Sequence, residues 1–307
     1  MKFPKFSVLT KILCASALSS YITYSYVTVT EEEMATKSCA DECRSRAQKL
    51  KLYCPPAKNF IVTGNWKMNG DKKLAEEIIK LIRCGPIVPG NDIVIGIPAP
   101  YLDYFQQRKP KVVEVASQNI YKESKGPYTG EISADMLIDI GVKWVILGAS
   151  ERRMFFNEDY DFIGEKAKYA LEKNLKLVIC IGENAGEREC KEHVKVVIEQ
   201  LETLLRYIPK SKWKHLVLAY EPLWTVGTGK AITVDEATEM ALAIREWATK
   251  TIDEDSANLL RIQVGGPLTP TTGKTFARRK ELDGLYIGAP SLKPEFIALV
   301  NANAKEG

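Results

Sequence analysis

From residue 58 onward, short runs rich in Val, Ile and Leu alternate eight times with longer segments of helical spacing. The runs are 60–64 (FIVTG), 92–97 (DIVIGI), 112–117 (VVEVAS), 142–147 (VKWVIL), 175–181 (LKLVICI), 215–220 (HLVLAY), 260–264 (LRIQV) and 283–287 (DGLYI). They are continuous apolar runs rather than clean alternations, as strands covered on both faces are. Helical spacing marks 71–83, 159–173, 187–206 and 234–252 between them. Thr233, followed three residues later by Glu236, is a start signal for the last of these. Eight such units in the 250 residues 58–307 have the rhythm and length of a closed (β/α)8 barrel, an α/β fold. An open doubly wound sheet is the alternative, and periodicity does not decide closure. Against the open sheet, no Gly-x-Gly-x-x-Gly follows the first run.

Residues 1–57 do not keep this rhythm, so the chain divides into an N-terminal extension, 1–57, and a barrel, 58–307. Lys2, Lys5 and Lys11 precede an uncharged stretch, 12–30, rich in Ser, Thr and Tyr, and no acid occurs before residue 31. That pattern fits a signal peptide, a mitochondrial presequence, a weak membrane anchor, or a mispredicted start or disordered tail. Membrane contact is expected only if the segment is an uncleaved anchor. The charged stretch 31–57 ends in Cys54-Pro55-Pro56, which reads as the end of a linker.

Charge and cysteine usage exclude several function classes. The extension has eight basic and five acidic residues, leaving 35 and 34 for the barrel, so the net +4 sits mostly outside the barrel. No basic patch with interleaved aromatics stands out, and nucleic-acid binding is not expected. Seven loosely spaced cysteines do not read as a disulfide framework. Cys39-x3-Cys43 with Cys54 lacks a nearby fourth ligand. The only histidines, His193 in a helical run and His215 at the start of a strand, read as structural. A histidine-rich metal site is therefore not expected.

Polar and glycine-rich clusters fall after the strands, where this fold carries function. They are Asn65 to Asn69, Gly148 to Arg153, Glu221 to Lys230, Gly265-Gly266-Pro267 and Gly288-Ala289-Pro290-Ser291. A partly desolvated carboxylate at a strand tip, as Glu221 is, can act as a general base. Lys67 can supply charge to an anionic ligand. Glycines after the seventh and eighth strands fit a phosphate site built from backbone N–H groups. The segment 222–230, bounded by Pro222 and by Gly229-Lys230 with Trp224 and Thr228 inside, can close as a lid. Gly273-Lys274-Thr275 resembles the end of a phosphate-binding Walker loop, but Leu268 stands where that pattern needs glycine.

Taken together these segments resemble triosephosphate isomerase. The matching pieces are GNWKMNG (64–70), SQNIY (117–121), GPYTGEIS (126–133), WVILGASERR (144–153), CIGE (180–183), AYEPLWTVGTGK (219–230), VGGP (264–267) and IGAPSL (287–292). The resemblance implies a TIM barrel and interconversion of D-glyceraldehyde 3-phosphate and dihydroxyacetone phosphate, without a cofactor, in the cytoplasm. It implies Glu221 as base, Lys67 as the lysine that stabilises the enediolate, and Asn65 as an orienting group. It also implies phosphate binding at Gly227, Gly265, Gly266, Gly288 and Ala289. Glu151 resembles the residue beside the lysine. Thr129, Glu131 and Arg152 resemble parts of a dimer interface, so a homodimer is implied.

The sequence departs from the family at the site itself. The family's G-H-S-E-R-R reads G-A-S-E-R-R, with Ala149 at the histidine position. The family's Y-G-G-S reads Val264-Gly265-Gly266-Pro267, and proline has no backbone N–H. Ala289 adds a Cβ where the family has glycine. Reduced isomerase activity is one expectation. A catalytically inactive barrel that binds or scaffolds is the alternative, and a changed substrate is a third.

Overall fold

The computed structural model describes residues 58–225 and 228–304. Eight parallel strands close into a barrel in sequential order. They are β1 (Ile61–Asn65), β2 (Asp92–Ile97), β3 (Val113–Ser117), β4 (Trp144–Leu147), β5 (Lys176–Ile181), β6 (Val217–Tyr220), β7 (Arg261–Gly265) and β8 (Gly284–Ile287). Closure is made where β1 pairs with β8, with Ile61 opposite Gly284 and Gly64 opposite Ile287. The open sheet is thereby excluded.

Alternation along each strand sends its side chains to two separate cores. Inside the barrel, Ile61, Val94, Ile146, Val178, Cys180, Ala219 and Tyr286 belong to one cluster. The alternate residues, such as Val62, Ile95, Val145, Ile179 and Leu285, join the larger cluster against the helices. A polar residue inside must be fully bonded. Gln263 achieves part of this through its amide Nε2, which donates to the carbonyls of Ile61 and Leu285 and the Thr63 hydroxyl, each at 3.0 Å.

Two sequence expectations are corrected. The segment 187–206 is two helices, Ala185–Glu189 and His193–Leu205. A capping box between Asn184 and Glu187 starts the first, and Lys191 between them has a left-handed φ of 58°. His215 does not begin β6; it ends a 3-10 turn, Lys210–His215, and is exposed. Gly273-Lys274-Thr275 lies within a helix, Pro270–Ala277. The expectations for residues 1–57, including the Cys39, Cys43 and Cys54 group, lie outside the described residues, as does Gly227.

Candidate active site

The C-terminal ends of β1, β6, β7 and β8 meet at a cleft of about 420 Å³. Its wall includes Lys67, Glu221, Thr225, Gly266, Tyr286 and Ala289, with Pro267 and Gly288 beside them. Four of the expected site residues are therefore brought together with two that the sequence flagged as departures. Gly265 is not among the lining residues; it stays buried as the last residue of β7.

Glu221 follows β6 directly and is buried. One carboxylate oxygen accepts the Ser150 backbone N–H at 3.2 Å, and the other lies 4.0 Å from the Lys67 ammonium. Lys67 takes a left-handed φ of 53° just beyond β1. For a lysine that conformation costs on the order of 1–2 kcal/mol, so the surroundings must enforce it. The Asn65 side-chain oxygen does so by accepting the Lys67 N–H at 2.9 Å. Gln118 completes the clasp, with its amide donating to the Lys67 carbonyl at 2.9 Å, the Gly96 carbonyl at 3.1 Å and the Asn65 oxygen at 3.2 Å.

Lys67 also pairs with Glu151. Burial opposes charge on both groups. The Glu221 and Glu151 carboxylates outweigh it and hold the lysine above its ordinary range. The ammonium likewise holds Glu151 below the usual carboxylate range. The site thus keeps a fixed cation beside its candidate base.

The base is also held from behind. Arg153 donates to the carbonyls of Gly148 at 2.9 Å and Gly182 at 3.0 Å, tying the tips of β4 and β5 together. Gly182 packs against Glu221 so closely that a Cβ there would lie 2.1 Å from the Glu221 carbonyl oxygen. In the candidate lid, Leu223–Thr225 form a short 3-10 turn. Trp224 donates its indole N–H to buried Glu183 at 2.9 Å, and Tyr220 donates to the same oxygen at 3.0 Å. Thr228, Gly229 and Lys230 are exposed, and Pro222 is buried.

The candidate anion cup is built from Gly266, Pro267, Gly288 and Ala289. Gly266 has a φ of 131°, which a side chain would strain. Ala149 is buried at the end of β4, 5% exposed, and presents only a methyl group to the barrel interior. Thr129 and Glu131 are exposed, while Arg152 is half-buried on Glu158 at 2.7 Å. Met68, Phe155 and Phe156 are unusually exposed for their size. Among the described residues no group of three or more His, Cys, Asp or Glu is placed to hold a metal ion.

The sequence did not single out Tyr286, whose hydroxyl accepts from Asn65 at 2.7 Å. Inward parity in β8 was the available signal: a phenol inside a barrel needs a partner.

Comparison with known proteins agrees with this geometry. A family model described as triosephosphate isomerase matches residues 60–303. A triosephosphate isomerase of Taenia solium is 41% identical over 246 residues, covering 80% of this chain and 98% of its own. One from Neurospora crassa is 42% identical over 249 residues, covering 80% and 99%.

Proposed function

Because the chain belongs to the triosephosphate isomerase family, we propose that it interconverts D-glyceraldehyde 3-phosphate and dihydroxyacetone phosphate at a reduced rate. The observation that carries this reading is the buried Glu221 carboxylate, 4.0 Å from the Lys67 ammonium in one cleft. Glu221 removes a proton from the carbon beside the substrate carbonyl. The resulting negative charge develops near Lys67. The phosphate binds at Gly266, Gly288 and Ala289, and the 222–230 segment with Gly227 closes over it.

The reduced rate follows from the departures. One missing oxyanion donor lowers turnover by about 10²–10³-fold, and Ala149 supplies no donor. Pro267 removes a backbone N–H from the cup; a hydrogen bond to a charged group is worth about 1.5–3 kcal/mol. Phosphate binding energy also drives closure, so this loss reaches turnover as well as affinity. The same two residues favour the second reading, a barrel kept for binding or scaffolding.

The exposed Met68, Phe155 and Phe156, with Thr129, Glu131 and Arg152, support a homodimer. Sedimentation at twice the chain mass agrees with it, and a monomer overturns it. By resemblance to the family we assign the barrel to the cytoplasm. No helix among the described residues is long and apolar enough to cross a membrane. We also assign 1–57 as an extension separate from the barrel 58–307.

A steady-state assay of the full chain with glyceraldehyde 3-phosphate, beside Glu221→Ala, tests the activity. Turnover that disappears in the variant is expected. A folded protein with no turnover above the variant sinks the isomerase reading and leaves the binding one.

A further inference from the structure

Taking a proton from carbon sends an electron pair to the carbonyl oxygen, and that oxygen needs hydrogen-bond donors aimed at it. Lys67 offers one from a charged group already paired with Glu151. A second, neutral donor has to come from the cleft wall. Three lining residues carry hydroxyls. Thr225 is engaged with the Pro222 carbonyl at 2.8 Å. Thr269 caps the helix Pro270–Ala277. The third is Tyr286, which is 2% exposed and shares one packed cluster with Ala149 and Cys180.

The bonding of Tyr286 leaves its proton available. Its oxygen accepts from the Asn65 amide at 2.7 Å, so the phenol hydrogen must point elsewhere. The Cys180 thiol in the same cluster is only a weak acceptor, which a carbonyl oxygen can displace.

We propose that Tyr286 is a catalytic residue, whose phenol O–H donates to the enediolate oxygen in the cleft that Tyr286 lines with Lys67 and Glu221. This rests on the isomerase reading above. Glu221 takes the carbon-bound proton, and the C–H pair becomes the new C=C bond. The carbonyl π pair moves onto oxygen, where Tyr286 and Lys67 receive it. The proton of the neighbouring hydroxyl crosses to that oxygen, and Glu221 returns its proton to the former carbonyl carbon. Tyr286 ends the cycle protonated, as it began.

Two features of the surroundings suit that role. Burial, reinforced by Cys180 and Glu221, pushes the phenol far above its ordinary range, so it stays a neutral donor at working pH. The Asn65 N–H polarises the phenol and strengthens its O–H as a donor. Phenols serve as oxyanion donors in other enolate-forming enzymes.

The test compares the full chain with Tyr286→Phe, which removes one oxygen and keeps the ring. Turnover is read with glyceraldehyde 3-phosphate, and binding with a phosphorylated hydroxamate that mimics the planar enediolate. A kcat lower by about 10²-fold with little change in KM is expected, and hydroxamate affinity at least about tenfold weaker. If Tyr286→Phe turns over and binds as the parent does, or faster, the Tyr286 role is overturned and the isomerase reading stands. If the parent neither turns over nor binds the hydroxamate, both fall together. Should Tyr286→Phe fail to fold, a ring-fluorinated tyrosine at 286 keeps the hydroxyl. Its fluorine resonance must shift on hydroxamate binding, and an unmoved resonance overturns the role.

Discussion

At Lys67 burial and charge work against each other, and the balance sets how the site responds to pH. Burial lowers the lysine, while Glu221 and the hydrogen-bonded Glu151 raise it by more. Removing one carboxylate with Glu151→Gln leaves burial opposed chiefly by Glu221. The alkaline limb of the pH profile of kcat/KM is then expected to move to lower pH; an unmoved limb would show that Glu151 does not hold the lysine. The pair's contribution to stability follows the same signs. Glu151 is depressed, so its share is present above the unfolded carboxylate value and lost as pH falls through the folded one. Lys67 is raised, so its share is lost only as pH climbs through the folded lysine value. A second residue-scale expectation concerns Ala149. Its surroundings in the barrel already include the Tyr286 ring. Ala149→His alone therefore overpacks, at a cost of about 1–3 kcal/mol, and does not raise turnover. Paired with Tyr286→Leu the imidazole is accommodated, and the two changes are non-additive in both melting temperature and kcat. Simple gain of activity from Ala149→His would contradict this packing.

At the scale of elements, the strand tips make the site, and Gly182 shows how tightly. A methyl group there meets the Glu221 carbonyl oxygen at 2.1 Å, so Gly182→Ala must push the tips of β5 and β6 apart. Activity is expected to fall by about 10²-fold, the cost of misplacing a reacting group by roughly 1 Å, with the circular dichroism of the barrel retained. An enzyme as active as the parent would mean that the base is not held from β5. The strands themselves were legible from the sequence because both faces are covered, and 92–97 coincides with β2. The positions of Asn65, Lys67 and Glu221 at the strand tips were legible for the same reason: they lie at the ends of readable strands. The break at Lys191 was not, since a left-handed lysine leaves no mark in an apolar pattern. Gly265 was expected in the anion cup because pairs of glycines look alike in sequence; only the end of β7 distinguishes it from Gly266. Tyr286 escaped notice because the run 283–287 was read only as a continuous apolar strand, and its inward parity was left unused.

For the whole molecule, closure of the barrel is what unites Glu221 from β6 with Lys67 from β1 and Tyr286 from β8. This assembly is expected to move a proton on and off carbon without an imidazole at position 149. Isomerisation can be slow while proton abstraction persists, so the abstraction should be measured directly. The full chain would be incubated with dihydroxyacetone phosphate in deuterium oxide and followed by NMR. Incorporation of one deuterium at the carbon bearing the hydroxyl is expected, with none above background in Glu221→Ala. A folded parent protein that leaves the substrate protons in place, as the variant does, would show that Glu221 does not abstract a proton from carbon.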